Sequence, residues 1–378
     1  MKILLVGEYS RLHNSLKEGL EVIGHQVCII STGDYFKNYP ADIKLIRKFN
    51  SGLLKKIKVG LYKFFNIDIS SISIKNQFFN HKNRLKNYDV VQLINESPLG
   101  ILPRHEKQII RFLKEHNKKL FLLSCGADYI NVKYAYDKKL RYSILDPLFN
   151  KKSNKKNLYA ALKYLTPDFK DLHEFVYKNI EGVIASDLDY HIPLENHSKY
   201  LRMIPNPINT VTLEYQKNNR NSKIIIFLGI NRSNYLKKGG DFFEKALQII
   251  KEKYPDKVQI EIVENLPYNQ YIKVYNKADI VLDQVLSYDQ GYNALEAMAK
   301  GKVVFTGVEK EVVSHYKLNN TVAINAIPDV NDIVEKLNNL ILFPEQIPLI
   351  SKNARSFIEQ EHEYSKIAKQ YVTCWKNN

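Results

Sequence analysis

Cysteine is scarce in this sequence: Cys28, Cys125 and Cys374 are the only three in 378 residues, scattered and odd in number. No CxxC or Cys/His cluster has the spacing of a metal site, so reduced thiols and no structural zinc are expected. Cys28 and Cys125 stand in apolar runs, where a thiol packs as a small hydrophobe. Long hydrophobic runs are missing too. The longest, such as residues 223–229, fall far short of the roughly 20 residues a membrane-spanning helix needs. Residues 1–20 carry Glu8, Arg11, Lys17 and Glu18, which is unlike the apolar core of a cleaved leader, and a cytoplasmic protein is expected. Internal repeats and low-complexity tracts are absent, which excludes a solenoid or a disordered tail. With 44% hydrophobic and 25% charged residues the chain has ordinary globular composition, and at about 150 residues per domain its length suggests two domains.

Acidic residues are in deficit, and unevenly. The formal charge is +16, and residues 1–200 hold 33 basic and 20 acidic residues against 23 and 20 in the remainder. An acidic partner would therefore meet the first half. The densest stretch, residues 44–65, carries seven basic residues, and no acid stands between Asp42 and Asp68. Its apolar residues Leu45, Phe49, Leu53, Ile57, Leu61 and Phe65 recur every four positions, the pattern of one helical face. Two readings stand side by side: a basic amphipathic helix lying in an anionic membrane surface, or a surface helix packed on its own domain with solvated lysines. Gly52 and Gly60 weaken either helix. No nucleic-acid-binding motif accompanies the run, so nucleic acid is not expected as a partner.

Residues 1–7 read as a buried parallel strand ending in Gly7, residues 10–23 as an amphipathic helix and residues 24–31 as a second strand. That is a βαβ unit opening a doubly wound sheet. Further strands are expected at 89–94, 119–124 and 182–186, with a helix over 104–117. A second α/β series starts near residue 222, with strands at 223–228, 258–263, 280–282 and 302–305 and helices at 240–253, 268–277, 293–300 and 330–342. The Pro/Asn turn at 204–209 and the polar stretch 216–222 mark the boundary between the two series. The expected division is 1–205, 206–355 and a last helical segment, 356–378, crossing back to the first domain. Two such domains in series leave a cleft between the carboxyl ends of their strands, where open α/β sheets bind ligands.

Three stretches then carry a resemblance. They are FLGINRSNYLKKGGD (227–241), ADIVLD (278–283) and YDQGYNALEAMAKG (288–301), the last similar to the pattern E-G-F-G-x-x-x-x-E-A-M-A-x-G; the turn IPNPIN (204–209) is similar to I-P-N-G-V-D. Together they resemble the retaining, nucleotide-sugar-dependent GT-B glycosyltransferases of the glycogen-synthase-like group (group 1, family 4-like). The resemblance implies an α/β GT-B fold, two Rossmann-like doubly wound domains facing a central cleft. It also implies a nucleotide-sugar donor bound by the second domain through Gly229, Arg232, Lys238, Tyr288, Asp289, Gly291 and Glu296. The chemistry is consistent with that. A departing nucleoside diphosphate needs fixed cations, Arg232 and Lys238 flank a strand-to-helix loop, and Gly291 opens a helix whose free amides favour an anion. Glu296 on that helix is the expected partner of the ribose hydroxyls.

The sequence departs from the family pattern at its first glutamate, which falls on Tyr288. Asp289, one residue later, substitutes only if the loop shifts. The histidine that the family often places after a central strand is also missing; residues 125–128 read Cys-Gly-Ala-Asp instead. Asp128, with Glu296, is the expected catalytic carboxylate, the one placed to act on an acceptor hydroxyl, although aspartate in a loop is commonly a cap or turn residue. Gly7, Glu8 and Tyr9 after the first strand, Asn95 and Glu96 after the third, and Gly126 are the expected acceptor or sugar contacts. The expected activity is transfer of a sugar to a hydroxyl of a glycan or lipid-linked acceptor, of the kind that builds surface polysaccharides, with no essential metal or other cofactor. The basic segment would hold the enzyme peripherally at the inner membrane face. An inactive GT-B module that binds glycan, membrane or a partner enzyme, and a nucleotide-sugar epimerase, are the alternatives.

Overall fold

A computed structural model describes all residues except 35–37, 217–222, 265 and 267, together with the backbone alone of 268 and 269. Most of the expected boundary stretch 216–222 therefore lies outside the described residues. Among the described residues, twelve strands form two sheets, parallel throughout. The first contains β1 (Lys2–Val6), β2 (Gln26–Ser31), β3 (Ile43–Lys44), β4 (Val90–Leu93), β5 (Lys119–Ser124), β6 (Gly182–Ala185) and β7 (Tyr200–Met203). The second contains β8 (Ile224–Ile230), β9 (Val258–Glu264), β10 (Ile280–Leu282), β11 (Val303–Thr306) and β12 (Ile324–Asn325). Their orders are β3-β2-β1-β4-β5-β6-β7 and β12-β11-β10-β8-β9. Each sheet therefore reverses direction once, at the topological switch point where doubly wound folds open a crevice.

The central strands are continuous apolar runs because helices cover both faces. Ile3, Leu4, Leu5 and Val6 of β1 are all fully buried, as are Ile280 and Val281 of β10. On one face of the first sheet, Ile3, Leu5 and Phe121 pack with Leu12, Leu16 and Leu20 of the helix Leu12–Val22 and with Ile367, Tyr371 and Trp375 of the last helix, Tyr364–Asn377. The two helices touch at Gly19, where a Cβ would stand 2.3 Å from the Tyr364 carbonyl oxygen. Trp375 also donates its indole N–H to Gln92 Oε1 on β4 at 3.1 Å.

The basic segment differs from its expected single helix over 44–65. Ile43 and Lys44 instead pair with Ile30 and Ser31 as an edge strand. Leu45 is buried and Phe49 takes a left-handed φ of 66°, which ends any continuous helix. The helix is confined to Gly52–Phe65, and none of its residues is buried. Leu53, Phe64 and Phe65 are 71%, 75% and 67% exposed. Among the described residues, no helix is long and apolar enough to cross a membrane.

Candidate active site between the two sheets

A cavity of about 490 Å³ lies between the domains. Its walls come from the loops that follow strand ends on both sides. Tyr9 follows β1, Asn95 follows β4, Gly126 follows β5 and Asp187 and Asp189 follow β6. From the second domain come Asn234 and Lys237 after β8, and Gln284, Ser287, Gln290 and Gly291 after β10.

The phosphate-binding expectation changes in detail. Arg232 is exposed and holds the Glu264 carboxylate through Nε at 2.9 Å and a terminal nitrogen at 2.7 Å. The cause is register: Glu264 ends β9 opposite Ile230 of β8, two residues before Arg232. Lys238 is paired with buried Asp283 at 2.8 Å, and Asn293 donates to the same oxygen at 3.0 Å. Neither Arg232 nor Lys238 lines the cavity. Lys237 does, with no ion pair or hydrogen bond of its ammonium among the described residues, and burial lowers its pKa below the usual lysine range. The turn that presents it depends on Gly239, whose φ of 70° favours glycine and whose Cβ would stand 2.7 Å from Val285.

Gly291 caps the helix Tyr292–Ala299 and lines the cavity, so that helix end faces the open space. Beside it Gln290 is 2% exposed; its amide nitrogen bonds the Gly307 carbonyl, while its Oε1 is buried with no hydrogen-bond partner among the described residues. Glu296, on the same helix, sits half-buried outside the cavity lining. Burial alone would lower Arg11, but Glu18, Tyr292 and Glu296 hold its guanidinium above the ordinary range. Gly229 is within β8, where a Cβ would meet the Tyr271 ring at 3.0 Å, and it does not reach the cavity.

Tyr288 turns away from the cavity and into the first domain. Its hydroxyl accepts the Arg141 N–H at 2.7 Å, its ring carries the Arg141 guanidinium 4.4 Å from the centroid, and Tyr142 packs edge-on at 5.3 Å. Arg141 also pairs with Glu309 at 2.7 Å and Glu311 at 2.6 Å, and the Tyr142 hydroxyl donates to Glu309. A clasp between domains thus occupies the position of the family's first glutamate. Asp289 does not line the cavity. It is buried, and its carboxylate accepts from Leu188 N at 3.0 Å and Gln290 N at 2.7 Å. Asp189 takes the Ser287 hydroxyl and the Tyr288 N–H, the latter at 2.9 Å. Burial first, and Asp189 beside it, push Asp289 up to about 7. Asp187 is raised too, through burial and then the charges of Asp189 and Asp289.

On the first domain, Tyr9, Asn95 and Gly126 line the cavity, and Gly7, Glu8, Glu96 and Asp128 do not. Gly7, at φ 88°, lies so close to Pro98 that a Cβ would stand 2.4 Å from its carbonyl oxygen. Glu8 accepts from the backbone N–H groups of His13 at 3.3 Å and Asn14 at 2.9 Å, and so caps the helix Leu12–Val22; burial pushes it up to about 7. Glu96 is 1% exposed and bonded to His173 Nδ1 at 2.6 Å and Tyr129 N at 3.2 Å. Asp128, expected to be catalytic, is the N-cap of the helix Tyr129–Tyr136: it takes the Asn131 N–H at 2.8 Å and the Ser124 hydroxyl. Burial, with the Glu96 charge, pushes Asp128 up to about 7. These carboxylates stabilise loop ends and are withheld from the open space. The residues not anticipated, Lys237, Gln290, Asp187 and Asp189, had a readable signal only in part. Asp187-Leu-Asp189 follows an expected strand end, as Asn95 does, whereas Lys237 and Lys238 are indistinguishable without the turn geometry. Among the described residues no cluster of three or more His, Cys, Asp or Glu is placed to hold a metal ion.

The comparisons agree with this architecture. Residues 233–373 match the family model described as glycosyl transferase-like. Among solved structures, sucrose-phosphate synthase from Thermosynechococcus elongatus superposes with a TM-score of 0.64 at 14% identity, over 100% of this chain and 98% of that one. Anabaena Alr3699/HepE in complex with UDP and glucose gives 0.59 at 11% identity, over the whole of both chains. UDP-GlcNAc 2-epimerase from Neisseria meningitidis bound to UDP-GlcNAc gives 0.54 at 14%, again over both whole chains. No curated protein matches the sequence. The likeness to these structures shows the fold, GT-B, with two Rossmann-like domains facing a cleft.

Proposed function

We propose that this protein transfers a sugar from a nucleoside diphosphate donor to a hydroxyl acceptor, with retention of configuration and without an essential metal. The observation that carries the reading is the cavity itself, lined by residues just past the carboxyl ends of strands in both sheets. On its second-domain wall, Lys237 and the amino end of the helix Tyr292–Ala299 supply positive charge where a diphosphate would leave. The unpaired Gln290 Oε1 would accept a hydrogen bond from a sugar hydroxyl. The cleft carboxylates Asp187 and Asp189 are committed to backbone and serine donors, so the departing phosphate itself is the base this site offers the acceptor. The complex of HepE with UDP and glucose supports a uridine donor by analogy of fold.

The acceptor is a glycan or its lipid-linked precursor, met at an anionic membrane. Support for this is the helix Gly52–Phe65, whose exposed Leu53, Phe64 and Phe65 are interleaved with Lys55, Lys56, Lys58 and Lys63. An epimerase reading has one observation in its favour, the full-length likeness to UDP-GlcNAc 2-epimerase.

Thermal shift against UDP, GDP, ADP, TDP and CDP tests the donor site. A ligand at a hundred times its dissociation constant adds about 2.7 kcal/mol of stability. One nucleotide is expected to protect the wild type and Arg232→Ala but not Lys237→Ala; no protection of the wild type by any of them refutes the reading. Incubation of the matching nucleotide sugar without acceptor separates the alternatives, since an epimerase converts it and a transferase does not.

A further inference from the structure

The cavity has a second cation, at its first-domain end. Lys163 lines it from the short turn after the helix Tyr159–Leu162. No acid lies within ion-pair distance of Lys163 among the described residues, and its ammonium rests 5.0 Å from the centroids of the Tyr164 and Phe169 rings. Glu106 acts on it only through space, because one Glu106 oxygen is already taken by Ser97, Leu99 and Ile101 and the other meets no hydrogen-bond partner. Arg47 adds repulsion, and burial together with that repulsion lowers the Lys163 pKa. A half-buried lysine without a counter-ion, opening on a cavity, is a site for an anion from outside.

What surrounds Lys163 defines the rest of that ligand. Val132, Ala135, Leu145 and Ala161 make this end of the cavity apolar, so the anion is joined to something that prefers not to be in water. Ala160 lines the cavity and is exposed, which puts it at the mouth. Next to it, Tyr159 lies beside Tyr62, on the exposed basic and apolar helix Gly52–Phe65. Lysine, apolar wall, mouth and amphipathic helix therefore form a continuous path.

We propose that the acceptor glycan, whose hydroxyl takes the sugar as the nucleoside diphosphate leaves, is joined through phosphate to a lipid that enters from the membrane past Tyr62 and Ala160, with that phosphate held against Lys163 and the adjoining hydrocarbon against Val132 and Ala161. The assignment rests on the transferase reading, and names the acceptor class of the same cleft. It divides the two free cations of the cavity by role: Lys237 for the donor phosphate, Lys163 for the acceptor phosphate.

Calorimetric titration of the full chain with dodecyl phosphate, below its micelle concentration, tests this. Inorganic phosphate, glucuronate and dodecyl maltoside serve as comparisons. Dodecyl phosphate is expected to bind at least tenfold more tightly than any of the three. Lys163→Gln is expected to weaken it by about ten- to a hundredfold, the range for losing a charged hydrogen bond. Ala160→Trp, at an exposed position, blocks the mouth and weakens it similarly, while Phe64→Ser with Phe65→Ser leaves binding of the dissolved amphiphile unchanged. Unaltered affinity in Lys163→Gln overturns the proposal, as does loss of binding in the Phe64/Phe65 variant alone, which would put the ligand on the helix. Equal binding of inorganic phosphate or glucuronate also overturns it, in favour of a water-soluble acidic acceptor. The nucleotide shift of Lys163→Gln is measured beside these. If it is retained while dodecyl phosphate affinity is also unchanged, the acceptor assignment alone fails. If no nucleotide protects even the wild type, it is the transferase reading that fails.

Discussion

Glu106 offers a perturbation whose magnitude follows from its surroundings. It is fully buried on the helix Pro103–His116, and a single oxygen, Oε1, accepts from Ser97 Oγ at 2.9 Å, Leu99 N at 3.2 Å and Ile101 N at 3.1 Å. That oxygen fixes the loop after β4, which brings Asn95 to the cleft. Oε2 is buried with no hydrogen-bond partner among the described residues. Burial raises the carboxyl from its ordinary 4.5 to about 7, in spite of the three hydrogen bonds that favour its charge. The folded state thus holds the proton more tightly than the unfolded chain. The stability this brings is complete below about pH 4.5 and is lost as the pH rises to about 7. The span corresponds to about 3 kcal/mol at most, and relaxation around a buried charge reduces it to roughly 2 kcal/mol. Glu106→Gln keeps Oε1 for all three donors and removes the charge. Its new amide group has no partner, a cost of about 1–2 kcal/mol that does not depend on pH. Melting temperatures of wild type and variant, followed from pH 4.5 to pH 8, should therefore diverge in favour of the variant by about 2–3 °C across that range. Glu8, Asp128 and Asp289, also raised, titrate in both proteins and cancel in the difference. A difference that stays constant over the range refutes the reasoning.

Gly19→Val drives a side chain into the Tyr364 carbonyl; the last helix should lift, and the single tryptophan, Trp375, should show red-shifted emission and greater access to iodide. Tyr288→Ala empties the contact with Arg141 and Tyr142 and should cost about 3 kcal/mol of stability, read as a melting temperature lowered by several degrees. Phe64→Ser with Phe65→Ser should reduce co-sedimentation with anionic vesicles by at least tenfold, with wild-type binding itself falling as salt rises.

The apolar runs of β1, β5, β8 and β10 were legible because buried parallel strands are hydrophobic on both faces. The two-sheet fold followed from their alternation with helical patterns. The edge strands β3 and β12 were not legible, since two residues of pairing leave no periodicity. The basic segment misled for a related reason: the four-residue spacing continues through Leu45 and Phe49, but pairing of Ile43 with Ile30 overrides it. At the site, the glycine and proline punctuation pointed correctly to loops at strand ends. What it did not contain was direction. Arg232, Lys238, Asp128 and Glu8 are all charged residues on such loops, and all four are consumed by partners that only the folded register supplies. Lys237 and Lys163 remain available because, among the described residues, no acid pairs with either.

The helix Tyr364–Asn377 covers the first sheet although nearly the whole second domain separates them in sequence. During synthesis, the strand ending at Met203 is made roughly 170 residues before Trp375, a delay of about 10–30 s at ordinary elongation rates. For that interval Ile3, Leu5, Leu12 and Leu16 lack the cover that Ile367, Tyr371 and Trp375 later give them. The nascent first domain consequently exposes an apolar face of the kind that chaperones bind. A fragment ending near residue 205 would keep that face bare permanently, so the two halves of this protein are poor candidates for separate expression.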